Sequence, residues 1–483
     1  MRFMRCRILG ISSSAGKVFA VTGEAFKFGL SKLKKLKIGL SSLILLSYLA
    51  AIGIGTTLLL LPFSTVSGEI SFVDALFTTT SAVCVTGLVV VDTGTCFTTL
   101  GQTVILLLIQ SGGLGIMTFS VLFFLIVGKR VSFRHRMVMQ EVFAHTPRED
   151  IYRVVGAIFL FTWMVEGVGA LSLFLFWISD YPAVEAAYLA VFHSVSAFCN
   201  AGFALFTDSF ISYRAAPVLN LTICGLIVLG GLGFPVVYEI YERMRGQRAK
   251  LARLGIQTKL VLIVTALLIV SGMGFFLWGE HGSVLRGVPL RESLWIALFQ
   301  SVTSRTAGFN TVDLAQLSNS TIMAMMFLMF WGASPGSCGG GVKTTTLAVL
   351  VMFTWARLHR SSQVNVFKKS IPQETVSRSV SLLLLSISLI LAIFFFLLLT
   401  HDVAPSSAET RSAFVEYLFE VISAFGTVGL SMGATAKLNT LGKLLIMAMM
   451  LIGRVGVLTF AYIIAGTAVR GGVQYSQQNL MIG

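Results

Sequence analysis

The sequence predicts an all-α polytopic membrane protein: four helix–re-entrant pore loop–helix repeats around one central pore, with eight spanning segments. Three observations carry that prediction: a composition too apolar for water, eight apolar stretches long enough to cross a bilayer, and a glycine-ended string that recurs four times. Of 483 residues, 55% are apolar and 12% charged, with a mean hydropathy of +0.85. An average soluble protein carries roughly 25% charged residues. The polar surface is too small to coat a globule, which excludes a soluble enzyme, a disordered chain and a disulfide scaffold. The six cysteines are scattered without a CxxC pair, so neither a zinc site nor a disulfide framework is indicated. The basic N-terminus lacks a short apolar core followed by a cleavage site, so no removable signal peptide is expected.

About 20 apolar residues cross a bilayer as a helix. The stretches 39–62, 100–127, 154–178, 217–241, 257–279, 320–356, 377–400 and 440–466 meet that length. Within each pair lies a shorter apolar run, at 72–83, 185–198, 291–303 and 411–424, which fits a re-entrant segment. The chain therefore divides into a basic cytoplasmic segment (1–38), pore repeats at 39–127, 154–241, 257–356 and 377–466, and a cytoplasmic tail (467–483). The second helix of the third repeat is interrupted by the Gly/Ser-rich run from Gly332 to Gly341.

Charge placement sets the orientation. The first 38 residues hold nine Lys/Arg, and the even-numbered connections are also basic, with Lys129, Arg130, Arg134, Arg136, Arg243, Arg245, Arg248, Lys368 and Lys369. The odd-numbered connections hold six Lys/Arg against 13 Asp/Glu. The positive-inside rule puts both termini in the cytoplasm. The net charge of +15 is thus a topology signal, and nucleic acid is not an expected partner. Lys32, Lys34, Lys35 and Lys37 are read as a topology anchor.

Each re-entrant run ends in a related string: Ser81–Leu88, Ser196–Phe203, Val302–Phe309 and Ser423–Leu430, with final glycines spaced by 115, 106 and 121 residues. The second helices carry a further echo, Gly112-Gly113-Leu114-Gly115, Gly230-Gly231-Leu232-Gly233 and Gly453-Arg454-Val455-Gly456, read as close-packing faces. Non-helical backbone survives at membrane depth only where protein buries it or water contacts it. Four loops around one axis meet that condition together. Glycine lets consecutive carbonyls turn inward, and a ring of carbonyls replaces the hydration shell of a monovalent cation. Short helices add their negative dipole ends.

The four loops, Thr427-Val428-Gly429, the interrupted sixth span and Arg454 together resemble the KtrB/TrkH/HKT superfamily of potassium transporters, over roughly residues 39–470. With 38 residues before the first span, the chain is more similar to the KtrB type than to TrkH types with two added spans. The resemblance implies that Gly87, Gly202, Gly308 and Gly429 are filter glycines. Potassium would bind the backbone of Val85, Thr86, Gly87, Asn200, Ala201, Gly202, Thr306, Ala307, Gly308, Thr427, Val428 and Gly429. Four glycines resemble potassium-selective members, because serine at the first accompanies sodium preference in some plant relatives. It also implies a gate of Gly332, Ser334, Gly336, Ser337, Gly339, Gly340, Gly341 and Arg454. Pro335 and Cys338 depart from the small polar residues more usual in that loop.

The same resemblance implies a homodimer in the plasma (inner) membrane, controlled by a cytosolic KtrA/TrkA-like nucleotide-binding subunit. The transported ion would be K+, with Na+ as a candidate activator and no cofactor. The alternative function is a symporter coupling potassium to sodium or protons, which would rest on Glu166, read as the only buried acid. An enzyme is not expected, because no HExxH, GxSxG or paired aspartate lies at membrane depth. Of the other polar residues, Lys343 is read either as snorkelling to the cytosol or as part of the gate, Arg305 as a brace behind the third loop, and His193 as a packed helix residue. Cys84 and Cys199 both lie three residues before their glycines.

Overall fold

The computed structural model describes residues 40–115, 151–244, 254–400 and 407–465. The expected N-terminal segment, the first basic connection and the C-terminal tail lie outside them or nearly so. The described chain is mostly helical. Long apolar helices open each of four units: α1 (Leu40–Leu59), α4 (Ile151–Trp177), α8 (Ile256–Glu280) and α12 (Gln373–Thr400). Residues such as Trp163, Val168, Leu171, Val270 and Leu399 face outward and are exposed, as lipid-facing side chains are.

A short helix follows each: α2 (Phe72–Cys84), α5 (Ala183–Phe198), α9 (Leu290–Thr303) and α13 (Ser407–Gly426). Ser71 starts α2 by accepting the Asp74 amide while its hydroxyl donates to the Asp74 carboxylate, a reciprocal cap. The second helix of each unit is α3 (Thr99–Gly113), α6 (Pro217–Gly231), α10 (Asn319–Phe330) or α14 (Thr440–Val455). Continuations follow in three units: α7 (Phe234–Met244), α11 (Thr344–Leu358) and α15 (Val457–Ala465). A two-stranded hairpin, β1 (Asn365–Val366) with β2 (Lys369–Ser370), links α11 to α12.

The second helices differ from expectation. The pair α6 and α7 is bent by 96°, and α14 and α15 by 103°. Gly233 and Gly456 sit at these bends with φ of +90° and +98°, and Gly115 just past α3 has +84°. Side chains rarely adopt such angles. The earlier glycines of each string do pack closely: a Cβ on Gly112, Gly230 or Gly453 would collide with the carbonyl of Val83, Phe198 or Phe425. One glycine string thus serves contact at its start and a bend at its end. Among the described residues four helices are long and apolar enough to cross alone, and the two bent pairs raise that to six; residues 116–127 of the second expected span lie outside the described residues. Eight spanning segments were expected, with only the sixth interrupted.

Packing follows a cycle. Each second helix rests on the short helix of the next unit: α3 on α5, α6 on α9, α10 on α13, and α14 back on α2. Ion pairs join the units on the same side, Arg214 to Glu292 at 2.9 Å and Lys443 to Asp74 at 2.6 Å.

Candidate functional site

Where each short helix ends, the chain turns into an extended loop held by its last helical turn. The amides of Thr86, Ala201, Ala307 and Val428 donate to the carbonyls of Ser81, Ser196, Thr303 and Ser423 at 2.8–3.0 Å. In the first and fourth loops the serine hydroxyl also accepts the glycine amide, Gly87 to Ser81 at 3.0 Å and Gly429 to Ser423 at 3.1 Å. In the second and third the hydroxyl instead donates to the carbonyl beyond the glycine, Ser196 to Phe203 and Thr303 to Phe309, both at 2.8 Å.

The backbone angles recur as well. Val85, Asn200, Thr306 and Thr427 have φ of 57°, 60°, 76° and 50°, and the glycines two residues on have 90°, 69°, 83° and 89°. Left-handed non-glycine residues cost about 1–2 kcal/mol each, more acutely when β-branched. Four at matching positions is strain kept by the surroundings. An extended strand points successive carbonyls to opposite sides; left-handed residues at every second position bring them toward one side.

The four glycines close a ring. A Cβ on Gly87 would strike the Ala201 carbonyl, on Gly202 that of Ala307, on Gly308 that of Val428, and on Gly429 that of Thr86. Each loop therefore lies against the next, and the fourth against the first. All twelve residues that the resemblance names lie in these turns and contacts, and the side chains of Thr306 and Thr427 also reach the segment below.

That segment, between α10 and α11, holds the expected gate residues. The Thr427 hydroxyl accepts the Gly340 amide at 2.9 Å, and Gly339 lies against the Thr306 hydroxyl, itself 3.1 Å from the Asn200 amide. On its other flank, Ser334 and Cys338 donate backbone amides to Gly231 and Gly230 at 3.1 and 3.2 Å, and Phe234 donates to Gly336 at 2.9 Å. Ser337 turns back to the Ser334 carbonyl at 2.7 Å. Gly332 packs against the Gly340 carbonyl, and Gly341, with φ of 69°, against Gly426. Arg454 donates to the carbonyls of Cys338 and Gly112, and to Gly113 at 3.4 Å. The loop is thus tied directly to the second and fourth units, and through Arg454 to the first.

Several residues are placed differently from expectation. Lys343 does not snorkel: its ammonium caps the Gly339 carbonyl at 2.7 Å and approaches that of Gly340 at 3.4 Å. Arg305 is buried, and its Nε has no hydrogen-bond partner among the described residues. It lines a small cavity with Gly231, Thr265 and Ala333. Cys199 contacts the Cys338 side chain and lies 3.5 Å from Gln110, which ties its position to the gate segment. Glu166 accepts from Gln110 at 3.2 Å and is not the only buried acid: Glu280 and Glu420 are fully buried too. Glu420 could have been found in the sequence, since it precedes Gly429 by nine residues as His193 precedes Gly202. Among the described residues no three His, Cys, Asp or Glu side chains converge, so backbone carbonyls are the ligands that this site offers.

Residues 41–467 match the family described as TrkH, cation transport protein. The chain is similar to the Ktr system potassium uptake protein B of Vibrio alginolyticus, 39% identical, covering 90% of this chain and 93% of the relative. It is 37% identical to the potassium/sodium uptake protein NtpJ of Enterococcus hirae, covering 89% and 94%. Among solved structures, the potassium transporter TrkH of Vibrio parahaemolyticus superimposes with a TM-score of 0.69 at 19% identity, covering 89% and 85%, a likeness of fold.

Proposed function

This chain belongs to the TrkH family of cation transport proteins, and from that premise we propose that it takes up potassium through a channel-like pore. Dehydrated ions pass down their electrochemical gradient along the axis of the four loops. Backbone carbonyls of residues 85–87, 200–202, 306–308 and 427–429 replace the lost water. The observation that carries this reading is the closed ring of Gly87, Gly202, Gly308 and Gly429, each against the next loop's carbonyl. The segment Gly332–Gly341 is the gate, and Arg454, bonded to Cys338, holds it shut. A nucleotide-binding partner of the KtrA/TrkA kind opens it from the cytosol, with the chain working as a homodimer in the plasma membrane, both termini cytoplasmic. Relatives named as parts of a Ktr system support a multi-component assembly. The coupled alternative has less support, because Glu166 is engaged by Gln110 behind the second loop.

The test is cation uptake into liposomes holding the purified protein, comparing potassium, rubidium, sodium and lithium. Potassium and rubidium entry exceeding sodium and lithium is the expected result. Sodium preference, or potassium entry that requires a proton or sodium gradient, overturns the reading.

A further inference from the structure

The two central loops are anchored from behind by side chains that neither the ring nor the gate uses. Beyond Gly202 the chain runs Phe203-Ala204-Leu205, and the Leu205 amide donates to His193 Nε2 at 3.2 Å. The other ring nitrogen, Nδ1, lies 2.8 Å from the Leu189 carbonyl. A carbonyl can only accept and an amide N–H can only donate. The proton must therefore sit on Nδ1 and the lone pair on Nε2, which fixes one neutral tautomer. The ring is fully buried, stacked on Phe206 at 5.0 Å with 9° between planes, and flanked by Trp177 and Phe210 at 5.3 Å. It cannot turn without breaking both bonds.

The third loop repeats the device with other chemistry. Gln300 Nε2 donates to the Thr311 hydroxyl at 3.2 Å, and Thr311 lies three residues beyond Gly308, as Leu205 does beyond Gly202. Gln300 is eight residues before its glycine and His193 nine before its own. The same one-residue shortening appears where Ala307 bonds Thr303, four residues back, while Ala201 bonds Ser196, five back. The two loops also clasp each other: Phe210 donates to the Asn310 carbonyl at 2.9 Å, and Asn310 to the Ser209 hydroxyl at 3.1 Å. In the first loop the matching residue is Thr78, whose buried hydroxyl has no partner among the described residues.

We propose that His193 and Gln300 are positioning residues for ion discrimination, each fixing the outer strand of its loop so that the carbonyl ring keeps one width. This rests on the potassium reading above, and two readouts separate the two claims. One is the potassium-to-sodium uptake ratio in liposomes. The other is hydrogen exchange of the 203–206 amides, which reports the tie whatever the ion. His193→Phe keeps an aromatic ring in the cage but removes the acceptor, whereas His193→Gln restores an acceptor. Thr311→Val removes the hydroxyl at constant volume, and Thr78→Val is the control.

His193→Phe is expected to raise exchange at 203–206 and lower the uptake ratio about fivefold, the factor that one lost neutral hydrogen bond carries. His193→Gln recovers most of both. Thr311→Val lowers the ratio similarly, and Thr78→Val changes nothing. Unchanged exchange in His193→Phe, or Thr311→Val with wild-type discrimination in a selective wild type, overturns the proposal. If His193→Phe does not fold, Thr311→Val decides. If wild-type protein does not discriminate, the potassium reading fails and the exchange arm alone judges the tie.

Discussion

Arg454 shows how much one side chain can join. Its guanidinium reaches the gate segment at Cys338 and the first unit at Gly112, from a helix of the fourth. Charge-assisted hydrogen bonds contribute about 1.5–3 kcal/mol each, so losing both shifts a closed-to-open balance by about a hundredfold or more. Arg454→Ala is predicted to raise potassium flux by that factor in liposomes; unchanged flux would contradict the gate assignment. Gly429 is the second residue-scale test. A serine there takes a φ of +89° and places its Cβ against the Thr86 carbonyl. Gly429→Ser is predicted to lower the potassium-to-sodium uptake ratio about tenfold, since strain of about 1–2 kcal/mol falls directly on the ring. These residues were legible in the sequence because their signal is local: a small-residue string ending in glycine, and a charge in an apolar span. Lys343 was not, because an isolated lysine near a glycine run does not disclose whether its ammonium meets water or folds back onto Gly339.

At the scale of elements, the short helices aim their C-terminal ends at the loops, where the negative dipole end favours a cation. The second helices were read less well. Gly230-Gly231-Leu232-Gly233 was read as a packing face, and Gly230 does pack under Phe198, but Gly233 bends the helix. A glycine that makes room and one that takes a positive φ look alike in a sequence. The packing role can be tested within α6. Gly230→Ala drives a Cβ into the Phe198 carbonyl and is predicted to cost about 1–3 kcal/mol, as overpacking does. Gly225→Ala, with nothing within 4 Å of its Cβ, is predicted to be neutral or to stabilise by about 0.5–1 kcal/mol through helix propensity. Thermal unfolding of the purified variants checks both; equal melting temperatures would contradict the packing argument.

Across the whole molecule, the four units form a cycle in which the last returns to the first through α14 on α2 and the Lys443–Asp74 pair. Glycines in register suggest four repeats but not which helices touch, because that depends on helix faces meeting in space. Likewise Arg305 and Glu420 are buried, which no local string in the sequence discloses. The central claim is that the ring of loops is the cation site. The most direct measurement is anomalous diffraction from crystals of the protein grown in rubidium or thallium salts. The account predicts an anomalous peak on the ring axis, among the carbonyls of Thr86, Ala201, Ala307 and Val428. A strong cation peak elsewhere, with none on that axis, would contradict it.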